Sequence, residues 1–282
     1  MSVSDLSLLI GQMLPEPHAG LLSGILFGTK ATIAPALKDA LITTGTIHVT
    51  ALSGANITIL VSLVGTLLLT FLSRQITAVL TCGIIIGFVL FVGPSASVVR
   101  AAIMAVLTLS STVFGRQYSA LFSLGIAVVV MLLIYPSWLS DLSFQLSVLS
   151  TLGVVLFCKK RLLDYESWKK QQTERPTLLK KGATILYRLV EDDLRMTLSA
   201  QVFTIPLIFF TFGRLSLVAP LANVLIGFLV PPLTAFGLFA VVLGLVWLPL
   251  GQILGWGLWV MLSYILFVVE FCARLPFASI SW

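Results

Sequence analysis

Apolar runs of bilayer length recur along this chain, parted by short polar breaks and by Gly- or Pro-bearing ones. A run of about 20 apolar residues crosses the hydrocarbon core as a helix, the conformation that satisfies its own backbone polar groups. The pattern predicts spans near 48–72, 76–92, 99–115, 119–135, 142–158, 197–212 and 251–272. Segments near 217–230 and 233–247 flank Pro231-Pro232, which breaks a helix, and read as two short spans or as two half-helices. Residues 19–28 are too short to cross and read as re-entrant or interfacial. Thr177–Met196 sets an apolar stripe (Leu178, Leu179, Ile185, Leu186, Leu189) beside charges, as in an amphipathic helix lying on the inner leaflet. The expected fold class is all-α, a polytopic transmembrane helical bundle of about eight to ten membrane segments, re-entrant or half-helices included. Four regions follow: an N-terminal interfacial or re-entrant segment, 1–47; a first transmembrane helical group, 48–158; a basic loop with the amphipathic helix, 159–196; and a second transmembrane helical group, 197–282.

Composition agrees with the pattern. Hydrophobic residues make up 58% of the chain, charged residues 10%, and the mean hydropathy is +1.08, too little charge to cover a soluble domain of 282 residues. Charge placement adds orientation. Ten of the 17 basic residues (Lys159, Lys160, Arg161, Lys169, Lys170, Arg175, Lys180, Lys181, Arg188 and Arg195) fall within 159–195, which places that loop in the cytoplasm. Counting spans back from it puts Arg74 and Arg116 inside and the segment around His48 and Arg100 toward the external face. Residues 1–18 carry Asp5 and Glu16 and lack a basic start, so no cleavable signal peptide is expected. Cys82, Cys158 and Cys272 have neither metal nor disulfide spacing and read as small hydrophobes.

Polar residues among apolar ones narrow the search for a site. His48, Ser53, Gly54 and Asn56 open the first long span; on one ideal helix the three polar side chains share a broad face. They read as the lining or gate of a wet path, or as a hydrogen-bonded helix contact that Gly54 lets close up. Gly93-Pro94-Ser95-Ala96-Ser97 makes a turn and a cap, with Arg100 about a turn inside the next helix. Asp141 can cap the helix that follows Pro136 and Trp138, and Gln145 lies one turn further in. The topology puts Asp141 and Arg100 at one outer level, so an ion pair between them is expected, direct or through a hydroxyl. Near the other end, Glu270 and Arg274 are spaced to pair.

These residues resemble a known family. His48-Val-Thr-Ala-Leu-Ser53-Gly54-Ala-Asn56 is similar to the His-x-x-Ala-x-Ser-Gly-x-His signature of the ComEC competence proteins. Ser97-Val-Val-Arg100-Ala-Ala-Ile-Met104, Phe114-Gly115-Arg116, and Asp141 with Phe144-Gln145-Leu146-Ser147 resemble further motifs of that family, in its order. Gln201, Pro206, Phe212-Gly213 and Leu221-Ala222-Asn223 extend the match, so that it covers roughly 15–245. Asn56 stands where the family usually has a second histidine, and Ser143 where a glycine is common.

The resemblance implies a multi-pass protein of the bacterial cytoplasmic (inner) membrane, a channel rather than an enzyme, that admits single-stranded DNA during natural transformation. His48, Ser53, Gly54, Asn56, Gln145 and Asn223 would line or gate its path, and Arg100 would meet phosphates or pair with Asp141. No cofactor or metal is expected. Many members add an OB-like domain and a metallo-β-lactamase-like domain; with only His18 and His48 this chain reads as the membrane competence domain alone. Candidate partners are single-stranded DNA, the lipid bilayer, a cytosolic helicase motor, an extracellular DNA receptor, a separate nuclease and further copies of the chain. No ATP-binding Gly-x-x-x-x-Gly-Lys-Ser/Thr run is present, so a motor would be external. Lys30, Lys38, Arg100 and Arg214 supply positive charge toward the outer face.

Two rival classes stay open. A transporter of another substrate, or a degenerate relative of the channel, would use the same polar interior. An intramembrane serine protease would need a base for Ser53, for which His48 and His18 are the candidates.

Overall fold

A computed structural model of the protein describes residues 2–29, 33–115, 118–158, 178–212, 214–276 and 278–281. Lys30, Arg116, Gly213 and the loop 159–177, named from the sequence, lie outside them, as do the side chains of Lys180, Lys181, Arg188 and Arg214.

Capping, glycine and proline set the boundaries. Helix α1, Val3–Met13, starts with a capping box in which the Ser2 and Asp5 side chains each serve the other's backbone N–H. Next come α2, His18–Phe27, and α3, Pro35–Thr43, which begins on proline. A 3-10 turn, Ile47–Thr50, precedes α4, Gly54–Leu69. Helices α5, Arg74–Val92, and α6, Ala96–Phe114, are separated by Gly93-Pro94; α7 is Ala120–Ile134. A second 3-10 turn, Pro136–Ser140, leads to α8, Leu142–Phe157, whose first N–H groups are capped by Asp141. Beyond the loop run α9, Leu178–Phe212; α10, Ala219–Gly227; α11, Val230–Val246; and α12, Leu248–Ala273.

The protein is an all-α polytopic membrane bundle. Among the described residues, α5, residues 194–211 of α9, and α12 are long and apolar enough to cross a membrane singly. Helices α2, α4, α7 and α8, and residues 96–111 of α6, are apolar but shorter.

Four details differ from the sequence-based expectations. The span placed at 48–72 begins only at Gly54, because Ser53 is extended and His48 belongs to the separate 3-10 turn. The amphipathic segment 177–196 and the span 197–212 form one 35-residue helix, with no break between them. Residues 19–27 are all buried, enclosed by α1, α11 and α12, so α2 belongs to the core of the bundle. Lastly, a small antiparallel sheet forms: β1, Arg214–Ser216, pairs with β2, Ser279–Ser281.

That sheet settles how the chain passes between its strands. Because β1 and β2 pair, the residues between them must leave and return. Helices α10 and α11 make the outward course, bent by 48° at their junction, and α12 is the way back. Pro231 and Pro232 fall in the first turn of α11, where a missing N–H breaks no helical bond. The two segments are therefore one bent traverse.

Packing divides into three clusters. The largest joins α1, α2 and α3 to α10, α11 and α12, with Leu22, Ile25, Leu233 and Leu262 at its centre. A second joins Leu52 and Ile57 to Ile85, Val98 and Ala102, tying α4, α5 and α6 together. The third, Ala96, Met131 and Phe144, joins α6 to α7 and α8. Helix α6 is common to the last two clusters, and it carries Arg100.

Candidate functional site

A helix end buried away from water leaves carbonyls that need donors. Helix α2 ends this way, and its orphan groups are met individually. Gly28, at φ 73°, turns the chain so that its N–H reaches Gly24 O at 2.8 Å. Asn56 Nδ2 donates to Ile25 O at 2.6 Å. Asn56 is thus a buried cap on a neighbouring helix, the hydrogen-bonded helix contact that was one of the two sequence readings of this cluster. Its Oδ1 receives only a long contact from Ser53 Oγ, at 3.5 Å.

His48, off the helix, donates from Nδ1 to Gly45 O at 3.0 Å. His48 is an exposed residue. Desolvation lowers its pKa below the usual imidazole range, and the bond to Gly45 offsets this in part. Gly45 itself has φ 68° and abuts Ala219 and Ser216, which brings the His48 turn beside β1 and the start of α10. The common helical face expected for His48, Ser53 and Asn56 does not exist, because only Asn56 lies within α4.

Arg100 departs furthest from expectation. It is only 8% exposed, and its Nη1 donates to Ser147 O and Thr151 Oγ1 on α8. Its guanidinium lies against Gly54, where an added Cβ would come within 2.7 Å of Nη2 and 3.2 Å of the Ala101 side chain. A side chain at this position would push the guanidinium aside. The ion pair with Asp141 is not formed. Asp141 is exposed, and its carboxylate accepts the N–H groups of Ser143 and Phe144 at 2.6 and 3.3 Å. Ser147 and Thr151 lie about 9 and 15 Å further along α8, at 1.5 Å per residue, so Arg100 binds deeper than Asp141 can reach.

Two other sequence-based candidates serve elsewhere. Gln145 donates to Leu139 O at 2.8 Å, fastening the second 3-10 turn to α8. Asn223, in α10, keeps its Oδ1 buried and unbonded among the described residues. Lys38 is exposed on α3. Sequence reasoning passed over Thr151, although Ser147 and Thr151 stand four apart and share one polar edge of α8. It named His18 only as a candidate base, whereas His18 Nε2 meets Ser263 Oγ at 2.8 Å and ties α2 to α12. Neither histidine bonds Ser53, so the hydrogen bonds give that hydroxyl no base. A crevice of about 480 Å³ lies between α1 and α12, lined by Met13, Leu14, Trp256 and Trp259, and takes in none of the polar groups around Arg100.

The arrangement is a cation held inside a helical membrane bundle at the N-terminal ends of α4 and α6, with no carboxylate partner among the described residues. The model of the Competence protein family matches residues 25–282. The chain belongs to that family, whose role is in competence and DNA uptake and which is not a known enzyme family. No curated protein and no solved structure matches it.

Proposed function

We propose that this chain is the membrane channel core that passes single-stranded DNA across the bacterial inner membrane during natural transformation. The observation that carries the reading is Arg100. A charged side chain inside a membrane bundle is costly and normally pairs with an anion or serves a transport path. Here α8 fixes Nη1 and leaves Nη2 at the mouth of α4. A polyanion moving past would supply the missing negative charge one phosphate at a time. His48, exposed beside β1 and the start of α10, is the second lining group on this reading; Asn56 and Gln145 hold the walls.

The N-termini of α4 and α6 meet at Gly54 and Arg100, which supports placing both ends on one side of the membrane, with the basic loop 159–177 on the cytoplasmic side. A cytosolic helicase, an outer DNA receptor and a separate nuclease are the expected partners. The experiment is import of labelled DNA into cells that lack the gene, complemented with wild type, His48→Ala or Arg100→Gln. Import restored by wild type and lost with Arg100→Gln supports the reading; full import without the gene refutes it.

A further inference from the structure

We infer that the crevice between α1 and α12 holds one bilayer phospholipid whose headgroup carries an ammonium. Glycines create the crevice. Met13 ends α1 by sinking into a notch on the α11–α12 hairpin. Its sulfur lies 3.1 Å from where a Cβ on Gly244 or Gly251 would stand, and its carbonyl oxygen 3.0 Å from that point on Gly255. Leu14 is then extended and Pro15 follows, so the chain leaves the helix axis while α12 presents Trp256 and Trp259 opposite. Trp259 is held in place by the His18 ring, with centroids 5.5 Å apart, and Ser263 ties His18 in turn. Neither wall closes on the other, and about 480 Å³ is left between them. Ligand sites run to roughly 300–1,000 Å³, and a crevice of this size suits one acyl chain.

Depth in the bilayer sets the class of occupant. Helix α12 is long and apolar enough to cross by itself, and Trp256, 75% exposed, stands on its open flank. Its 26 residues measure about 39 Å at 1.5 Å per residue, against a hydrocarbon core of about 30 Å. Shared between both ends, the excess sets Gln252 at the headgroup boundary and Trp256 one turn beneath it, where tryptophans gather. Gln252 Nε2 donates to Gln12 O at 3.1 Å, and both glutamines are exposed there, ready to meet a polar headgroup. Charge then selects the phospholipid. Residues 1–29 and 248–273, which supply both walls, contain the acids Asp5, Glu16 and Glu270 and no lysine or arginine. Glu16 follows Pro15 at the crevice and is exposed; its carboxylate accepts Gly20 N–H at 3.2 Å and pairs with no cation among the described residues. A carboxylate at this depth is costly without a counter-charge. An ammonium headgroup supplies one, and the face of a tryptophan attracts the same cation. A headgroup of net negative charge finds no cation in either wall. Phosphatidylethanolamine is therefore favoured over phosphatidylglycerol.

The test is native mass spectrometry of the full chain, purified in a maltoside detergent and offered equal amounts of phosphatidylethanolamine and phosphatidylglycerol. The wild type should retain one phosphatidylethanolamine per chain, in clear excess over phosphatidylglycerol. Glu16→Gln keeps an acceptor for Gly20 and should reduce that preference by about fivefold, as expected for one exposed ion pair. Trp256→Ala should lower retention of either lipid by about tenfold. Trp247→Ala, at a position 59% exposed and outside the crevice, is the control and should retain lipid as the wild type does. Thermal unfolding gives a second readout: phosphatidylethanolamine should raise the unfolding temperature of the wild type and not that of Trp256→Ala. No retained lipid, equal retention of the two lipids by the wild type, or undiminished retention by Trp256→Ala overturns the site. So does a loss in Trp247→Ala as large as that in Trp256→Ala, which would place the lipid elsewhere. Undiminished preference in Glu16→Gln overturns the pairing of its carboxylate with the ammonium.

Discussion

Asn56 and Arg100 show how two polar residues in similar surroundings come to do different work. Asn56 donates to a carbonyl that a buried helix end would otherwise leave unpaired. Asn56→Leu should cost about 1–3 kcal/mol, the penalty for a buried unsatisfied acceptor, and unfolding of the purified protein would measure it. Normal stability in that variant would show that Ile25 O has another donor. Arg100 should behave in the opposite way. Its charge is buried without an anionic side chain, so Arg100→Met should leave stability unchanged or raise it while abolishing DNA import. A variant that loses both together would make Arg100 a structural tie. The sequence offered a helix contact for Asn56 and, by resemblance, phosphate contact for Arg100, but it did not give the partner of either. Both residues announced themselves as polar groups in apolar runs, but their partners, Ile25 O and the Ser147–Thr151 edge, belong to other helices, and periodicity says nothing about neighbours across a bundle.

Whole elements were far more legible. The apolar runs, Gly93-Pro94 and Asp141 placed α5 through α8 within a few residues, because lipid demands continuous apolar helices and turns need particular residues. The start of α4 was misplaced because Ile47, Val49 and Leu52 are apolar, so hydropathy passes smoothly through a 3-10 turn. Conversely, the charges in Thr177–Met196 suggested a separate surface helix, but a helix can change face character without breaking, and α9 is continuous. Helices α8 and α9 are locked at Gly153, which faces the Ser199 carbonyl with no room for a side chain. Gly153→Val should force the pair apart, at about 1–3 kcal/mol for overpacking, visible as a lower unfolding temperature. Cys158 Sγ lies 3.4 Å from Ser199 Oγ, so Ser199→Cys should form a disulfide with Cys158 under mild oxidation, detected by mass spectrometry. No cross-link would mean that the two helices meet elsewhere.

At the scale of the whole molecule, the chain closes on itself. The β1–β2 pair and the contact of Gly45 with Ser216 and Ala219 gather three distant stretches at one end of the bundle. If that end is external, Ser279→Cys should react with a membrane-impermeant maleimide added outside intact cells. A cysteine in the loop 159–177 should react only after the membrane is opened. Labelling with the sides reversed would invert the direction of transport and place Arg100 at the cytoplasmic face.

The most direct measurement is entry of labelled DNA into the cytoplasm of cells whose only copy of this protein is wild type or Arg100→Gln, at matched amounts in the membrane. A buried guanidinium that meets each passing phosphate predicts import by the wild type and import at least about tenfold lower in the variant. Equal import by the two would contradict it.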